Sequence, residues 1–279
     1  MVKIISDSTC DLSPELIARY DIDIVPLHII LGEEDHKDGQ IAPDDIYRWS
    51  DENRLSPKTA AVSMEDALAA FAPYKGKEVI AFTISSLMSS TYNVLRMAAE
   101  QTDAEHIHVI DSRNLSTGVG LQVIAAAEMA AQGKSAAEIV DAIKAARDLV
   151  RASFVVDTLT YLHRGGRCSS VAALMGGALK LHPRITVAEG KMSATKKYRG
   201  RMDRVIRDYV TDLTDEMKQA RQAHVFITHS GCDAETISAV HAMLESLHHF
   251  DEIHVTRAGG VVSSHCGPGT LGVLYIAGN

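Results

Sequence analysis

The sequence has little that would place the protein outside the reducing cytoplasm. Its four cysteines are scattered, without a C-x-x-C pair or the spacing of a zinc site. No apolar run approaches the roughly 20 residues that a membrane-spanning helix needs. The N-terminal residues have the pattern of a strand, so no signal peptide is expected. We therefore predict a cytoplasmic protein with free thiols and no integral membrane segment.

Positive charge is also scarce relative to negative charge. The chain has 28 Lys and Arg residues against 36 Asp and Glu residues, which gives a formal net charge of -8. Nucleic-acid binding requires a basic surface that neutralises phosphates, so this balance argues against a nucleic-acid partner. With 46% hydrophobic and 23% charged residues, the composition is that of a globular protein.

The common catalytic and cofactor motifs are missing. There is no G-x-S-x-G elbow, no Walker loop and no G-x-G-x-x-G fingerprint. The 13 histidines include no H-x-x-x-H pair with Cys or acidic partners on a predicted helix. His265 and Cys266 are adjacent, and adjacent residues seldom face each other as base and nucleophile. We therefore predict no catalytic residue, no metal and no cofactor.

What is present in the first half is an alternation of strands and helices. Strands are predicted at residues 2–6, 22–30, 78–84 and 106–110, with helices between them. This alternation is typical of a mainly parallel sheet flanked by helices. Pro26 lies inside the second run and indicates an edge or a bulge.

The pattern changes after Arg151. A hairpin signal at Glu189-Gly190 predicts antiparallel pairing, and further strands and helices follow it. We predict two α/β domains, residues 1–150 with the parallel sheet and residues 151–279 with a mixed sheet and helices. A small-residue helix is predicted at 171–179. Residues 32–40 and 259–269 are predicted to be loops, and residues 55–62 are predicted to be an extended linker.

A turn rich in hydroxyl groups is the strongest candidate for a binding site. Five Ser and Thr residues lie between Ser85 and Thr91, where a strand ends and a helix begins. The first N–H groups of a helix have no partner within the helix, and its dipole favours anions. Such a turn can hold a carboxylate or a phosphate. An ordinary N-cap needs only one hydroxyl, and this turn by itself leaves both interpretations open.

Other polar residues lie where the predicted strands end. Asp7, Asp111 and Thr228 each follow an apolar run, and the carboxyl ends of parallel strands share the edge where ligands bind. His265, in a Gly/Pro-rich segment, is a candidate hydrogen-bond donor to an anion. Arg164 and Arg167 form a basic loop that fits three roles: anion binding, docking of an acidic partner, or capping of the preceding helix.

Several motifs, in order along the chain, carry a resemblance to a known family. They are Ser6-Asp7-Ser8, Val25-Pro26-Leu27, Pro57-Lys58-Thr59, Ile84-Ser85-Ser86 with Ser89-Ser90-Thr91-Tyr92, Val109-Ile110-Asp111-Ser112, Gly165-Gly166-Arg167, Tyr198-Arg199-Gly200, and His265 with Gly267-Pro268-Gly269. With these motifs the chain resembles the DegV family of bacterial fatty-acid-binding proteins, which work with a fatty acid kinase. The resemblance runs nearly from end to end.

The resemblance implies two α/β domains with a long-chain fatty acid between them. The carboxylate is then held by Thr59 and Ser89, with Ser90 and His265 as neighbouring candidates. It also implies that the chain presents the acid to the fatty acid kinase catalytic subunit and is not itself an enzyme. Arg164 and Arg167 are candidates for docking that partner.

Two departures from the family pattern concern the carboxylate site. Thr59 is followed by Ala60-Ala61-Val62 where the family usually has Ser-Gln-Pro, which removes polar groups. Ser90 replaces the usual Gly, which adds a side chain where backbone would approach the ligand. The alternative function is that of a hydrolase or transferase, acting on a small phosphorylated or acylated substrate at the rim from Ser85 to Ser90.

Overall fold

The structure, a computed structural model, describes residues 2–170 and 181–278. In this part of the chain the strands are, in order, β1 (Lys3–Asp7), β2 (Ile22–Val25), β3 (His28–Leu31), β4 (Glu34–Lys37), β5 (Lys58–Ala60), β6 (Val79–Thr83), β7 (Ile107–Asp111), β8 (Val150–Val155), β9 (Leu181–Ala188), β10 (Lys191–Arg199), β11 (Ala220–His229), β12 (Glu252–Arg257) and β13 (Leu271–Ala277). The helices are α1 (Pro14–Arg19), α2 (Pro43–Asn53), α3 (Met64–Phe71), α4 (Thr91–Asp103), α5 (Thr117–Ala131), α6 (Ala136–Ala146), α7 (Thr160–Gly165), α8 (Met202–Met217), α9 (Ala234–Glu245) and α10 (Gly260–Cys266). No helix of the described ranges is long and apolar enough to cross a membrane.

The first sheet is parallel throughout, in the strand order β2-β1-β6-β7. β6 is central and all five of its residues are buried, as expected for a strand covered by helices on both faces. The parallel sheet flanked by helices is therefore confirmed. The carboxyl ends of these strands lie along one edge, and the turn rich in hydroxyl groups follows β6 there.

Residues 22–60 contain a second, small sheet that the sequence prediction missed. The predicted strand at 22–30 is two strands, because the chain leaves the parallel sheet at Pro26 and β3 pairs antiparallel with β4 and β5. Proline has no N–H for a sheet ladder, which fits this break. The prediction of a loop at 32–40 was wrong for β4, and the predicted extended linker at 55–62 contains a strand, β5, that the prediction missed. These edge strands are short and polar, so they lack an apolar pattern.

The third sheet is mixed, in the order β10-β9-β8-β13-β11-β12. β11 and β12 pair in parallel, and the other pairs are antiparallel. The predicted hairpin is confirmed, with Glu189-Gly190 between β9 and β10 and both residues at positive φ. The helix predicted at 171–179 lies outside the described residues.

α10 is a helix where the sequence predicted an irregular segment. The backbone N–H of Gly259 donates to Asp11 at 2.8 Å, and that of Gly260 donates to Asp38 at 2.9 Å. These carboxyl oxygens accept from amides that a helix start leaves without partners. A Cβ at Gly260 would lie 2.4 Å from Cδ1 of Ile29, so the glycine permits close packing of α10 on β3. The glycines that predicted a loop are therefore packing residues.

One apolar cluster joins the two large sheets. It extends from Ile4 and Phe82 in the first sheet to Phe154 and Phe226 in the third. α5, which is buried on almost all sides, packs between them. The domain boundary at residue 150 stays a prediction.

The buried carboxyl groups near the start of α10 lead to a prediction about stability. Burial raises the pKa of Asp11 to about 8 and that of Asp7 to about 6, and it also raises the pKa of Asp38. The folded protein therefore binds protons that the unfolded chain releases above about pH 4. This contribution to stability is complete below the unfolded pKa and is lost as the pH rises through 8. We expect the free energy of unfolding to fall between pH 5 and 8, by up to about 1.4 kcal/mol per pH unit for each proton.

Urea unfolding of wild type and Asp11→Asn at several pH values checks this. Asparagine can still accept from Gly259, so the variant should fold and show a flatter pH profile. Asp141→Asn, on the exposed side of α6, is the matched control and should keep the wild-type slope. An unchanged slope in Asp11→Asn would contradict the assignment.

Candidate functional site

A cavity of about 290 Å³ lies between β5, the turn after β6 and α10. Its apolar lining includes Leu27, Ile84, Met88, Leu115, Met192 and Val262. Its polar lining is Thr59, Ser89, Ser90, Arg167 and His265. A slot with apolar walls and a few converging polar groups is the usual form of a small-molecule site.

The four residues predicted to bind a carboxylate all line this cavity, although they come from three distant segments. Thr59 lies on β5, Ser89 and Ser90 precede α4, and His265 lies in the last turn of α10. The prediction that His265 lies in an irregular Gly/Pro loop was wrong, because this residue lies in a helix. That these residues bind a carboxylate stays a prediction.

Thr59 and His265 are in direct contact. Oγ1 of Thr59 lies 2.8 Å from Nε2 of His265. Burial, with a smaller contribution from the nearby charge of Arg167, lowers the pKa of His265 to about 4, so the imidazole is neutral near pH 7. When Nε2 carries the proton it donates to Thr59, and the Thr59 hydroxyl is then free to donate to a ligand.

The loop that contains Gly165 and Arg167 closes over this histidine. A Cβ at Gly165 would lie 2.2 Å from Nδ1 of His265, so only glycine fits against the ring. Gly166 ends α7 in the left-handed conformation, which confirms the capping role considered for this loop. The glycine pair therefore shapes the cavity wall and ends a helix.

The structure separates the two arginines of the loop. Arg167 lines the cavity, where Nε donates to the carbonyl of Met88 at 3.4 Å and Nη1 donates to that of Gly165 at 2.7 Å. Arg164 lies in the last turn of α7; both arginines are exposed, but only Arg167 is among the described residues that line the cavity. Sequence reasoning treated them as one basic loop and missed the position of Arg167 on the cavity wall.

Ser89 lies just before the start of α4 and lines the cavity. Its Oγ accepts the N–H of Thr91 at 3.3 Å and lies 2.9 Å from Oγ1 of that residue. The N-cap residue of α4 is Ser90, whose side chain makes no capping hydrogen bond, so the Ser89 hydroxyl is the one that both accepts the first helical N–H and lines the cavity. Ser90 has φ -79°, so the backbone does not require the glycine that is usual in the family.

The other serines of the turn hold the structure together. Oγ of Ser85 donates to the carbonyl of Gly190 at 2.7 Å, which fixes the tip of the β9–β10 hairpin to the first sheet. Oγ of Ser86 donates to Asp111 at 2.5 Å. Both hydroxyl protons are thus engaged, which leaves Ser89 and Ser90 as the serines on the cavity wall.

The polar groups at the other strand ends also form structural links. The carboxylate of Asp7 accepts from Thr9 and from the backbone of Ile84 at 2.7 Å. The hydroxyl of Thr228 lies 2.7 Å from that of Thr117. These groups are not among the described lining residues of the cavity. Along the shared edge, the serine turn therefore lines the site, whereas these other polar side chains stabilise the surrounding structure.

Comparison with known proteins agrees with this architecture. The family model described as "Uncharacterised protein, DegV family" matches residues 1–278. The chain is similar to a solved structure described as "Fatty Acid Binding of a DegV family Protein from Thermus thermophilus", with a TM-score of 0.91 and 27% identity over 99% of both chains. A stearic acid-binding protein from Eubacterium ventriosum has a TM-score of 0.87 and 30% identity, covering 99% of this chain and 98% of that one.

A third solved structure shares the fold at lower identity. The Streptococcus pneumoniae fatty acid kinase (Fak) B3 protein, loaded with linoleic acid, has a TM-score of 0.84 at 23% identity over 99% of both chains. The family match covers almost the whole sequence, and the parallel sheet and the mixed sheet, each with its helices, are those of the fold that these structures share. This chain therefore belongs to the DegV family.

Proposed function

We propose that this chain binds a long-chain fatty acid in the cavity and presents it to a fatty acid kinase. The observation that carries the proposal is the composition of the cavity wall, where apolar side chains surround one small polar group of Thr59, Ser89, Ser90, Arg167 and His265. A fatty acid has the same division into an apolar tail and a single anionic head.

The head group fits the polar part of the wall. Ser89 and Thr59 offer hydroxyl donors from opposite segments, and the start of α4 favours negative charge. His265 orients Thr59 through the 2.8 Å contact, and the guanidinium of Arg167 supplies positive charge beside it. Hydrogen bonds to a carboxylate are stronger than those between neutral groups.

The tail has an apolar path between the sheets. A smaller void of about 30 Å³ shares Leu115, Val262 and Cys266 with the cavity and extends toward Phe154 and Leu274. An acyl chain placed along these side chains is removed from water, which favours binding by about 0.8 kcal/mol for each buried methylene group. The two fatty-acid-binding structures from Thermus thermophilus and Eubacterium ventriosum, which share the fold over nearly the whole chain, support this choice of ligand.

The geometry favours a binding protein over the alternative hydrolase or transferase. A serine nucleophile needs a base within hydrogen-bond reach. The hydrogen bonds of the Ser89 hydroxyl in the described residues are with Thr91, whereas the imidazole of His265 contacts Thr59. Phosphoryl transfer is then the task of the kinase, and this chain contributes no catalytic group.

The exposed end of α7 is the surface that we assign to the partner. Arg164 is exposed there, two residues after Leu162 in the core and next to the loop that borders the cavity. A cation at this position can attract an acidic kinase surface toward the bound carboxylate.

Ser89→Ala tests the head-group site. The loss of one charge-assisted hydrogen bond, worth about 1.5–3 kcal/mol, should weaken fatty-acid binding roughly ten- to a hundred-fold. Titration calorimetry or a fluorescent fatty acid measures the affinity. Ser63→Ala removes the N-cap of another helix, α3, and is the matched control that should bind like wild type. Unchanged affinity in folded Ser89→Ala would remove this residue from the site.

His265→Ala tests the orienting role and its dependence on pH. A bound carboxylate favours the protonated form, so binding should raise the pKa of His265 above its free value of about 4. Wild-type affinity should then increase as the pH falls from the bound-state pKa toward 4 and be flat above it. His265→Ala should bind more weakly at pH 7, because Thr59 loses its partner, and should lack the extra increase at low pH.

Titration of the fatty acid itself is common to all variants and cancels when profiles are compared. His241→Ala, on α9 and away from the cavity, is the control. If wild type and His265→Ala had the same profile, His265 would not belong to the carboxylate site.

Arg164→Ala tests the docking surface separately from the cavity. Fatty-acid affinity should stay at the wild-type value, whereas formation of acyl phosphate with the kinase should slow several-fold and become less sensitive to salt. Arg207→Ala, an exposed arginine on α8, is the matched control. Equal rates for the two variants would contradict docking at α7.

A further inference from the structure

Two histidines face each other at the edge of the third sheet, away from the cavity. His224 on β11 and His254 on β12 come from neighbouring parallel strands. Nδ1 of His224 lies 3.1 Å from Nε2 of His254. Glu252, which pairs with His224 across the strands, brings Oε2 to 3.8 Å from the same nitrogen of His254.

Hydrogen bonds settle which ring atoms carry protons. Nε2 of His224 lies 3.1 Å from Oε1 of Glu128 on α5, and an ionised carboxylate can only accept. Nε2 of a neutral His224 therefore carries its proton, and Nδ1 presents a free lone pair. His254 then donates from Nε2 to that lone pair, so a single proton lies between the two rings.

We infer that His224, His254 and Glu252 form a binding site for a divalent transition metal ion such as Zn²⁺. One donor atom from each residue lies within 4.8 Å of the other two. Two ligands at 2.0–2.1 Å from a tetrahedral zinc ion are roughly 3.3 Å apart, so the two ring nitrogens are already close to ligand spacing. Two imidazoles and a carboxylate are a donor set that zinc accepts, with the fourth position left for water.

A bound metal ion takes the place of the proton that lies between the two rings, and both rings stay neutral. His254 carries its proton on Nδ1 in place of Nε2, so the imidazole stays neutral and its Nε2 lone pair binds the ion. His224 keeps its Nε2 proton and binds through Nδ1. The proton moves between the two nitrogens of one ring, and none is lost.

A second layer of contacts orients all three ligands, as is usual around metal ions in proteins. Glu128 holds the ring of His224 and in turn accepts from the hydroxyl of Tyr20 at 3.0 Å. Phe226 stacks on His254 with a centroid distance of 4.6 Å.

Arg19 donates to both oxygens of Glu252, at 2.7 and 2.8 Å. Each carboxylate oxygen has a second lone pair, so Oε2 can bind a metal while it keeps this hydrogen bond. The negative charges of Glu128 and Glu252 offset the guanidinium next to the ion.

The site is reachable from solvent. The side chains of His224 and His254 are 9% and 11% exposed, and that of Glu252 is 35% exposed. A surface pocket of about 270 Å³, lined in part by Arg19, Glu252 and His254, opens beside the donors. It gives an entry path and room for the water that completes the coordination.

Zinc binding by the full chain tests the inference. Protein stripped with EDTA is dialysed against Zn²⁺, metal content is measured, and affinity is determined by competition with a chromophoric chelator. We expect one zinc ion per chain, with affinity at least tenfold lower in His254→Gln and His224→Gln. Glu128→Gln, which changes only the hydrogen-bond partner of His224, should lower the zinc affinity about tenfold. His248→Gln, on the exposed surface after α9, is the matched control and should bind like wild type.

Spectra of the wild-type protein provide a readout that does not depend on a variant folding. The cobalt-substituted protein should lack the charge-transfer band of a thiolate ligand, which excludes Cys232 and the other thiols, and X-ray absorption should show two imidazoles. Fatty-acid affinity should be the same with and without metal, which separates this site from the proposed function. Wild-type affinity no higher than that of His254→Gln, an equal loss in His248→Gln, or a thiolate band would overturn the inference.

Discussion

Two buried carboxyl groups bind the start of α10, and they thereby fix the position of a helix that forms part of the cavity wall. Asp11 and Asp38 come from the loops that follow β1 and β4, and they accept the N–H groups of Gly259 and Gly260. This anchors a helix from the far end of the chain onto the small sheet. The helix carries His265 and two apolar wall residues, Val261 and Val262, so the contact of His265 with Thr59 depends on these hydrogen bonds. Burial raises the pKa of both acids, and the nearby charge of Asp38 raises that of Asp11 further, so these hydrogen bonds carry a desolvation cost.

The hydroxyl groups of the serine turn have two roles around the cavity, structural support and lining of the wall. Ser85 and Ser86 connect the turn to the hairpin of the third sheet and to β7, whereas Ser89 accepts the N–H of Thr91, the first residue of α4, and lines the cavity. A rigid turn keeps donors in place for a ligand, because little side-chain entropy is left to lose on binding. The serines of this turn therefore have different roles at different positions: some stabilise the turn, and others are placed to contact the ligand.

Local features of the fold followed from the sequence wherever neighbours along the chain decide them. The capping box of Ser135 and Glu138 at the start of α6 has both of its hydrogen bonds, as its spacing predicts. The parallel sheet was predictable because β6 and its neighbours are continuous apolar runs. The failures lie where distant contacts override local pattern. Short polar strands β4 and β5 are stabilised by pairing with β3, and α10 forms from a glycine-rich segment because carboxylates from elsewhere cap it.

The sequence by itself determined the family, the alternation of strands and helices, and four polar residues that line the cavity, Thr59, Ser89, Ser90 and His265, since these depend on residue type and order. Only the tertiary structure decided which of them meet. Thr59 and His265 are 206 positions apart, and their contact exists because α10 packs on the small sheet to which β5 belongs. His224 and His254 are 30 positions apart, and parallel pairing of β11 with β12 brings their nitrogens together. Spacing along a strand or helix indicates which side chains share a face, but contact between distant segments is set by how the layers pack.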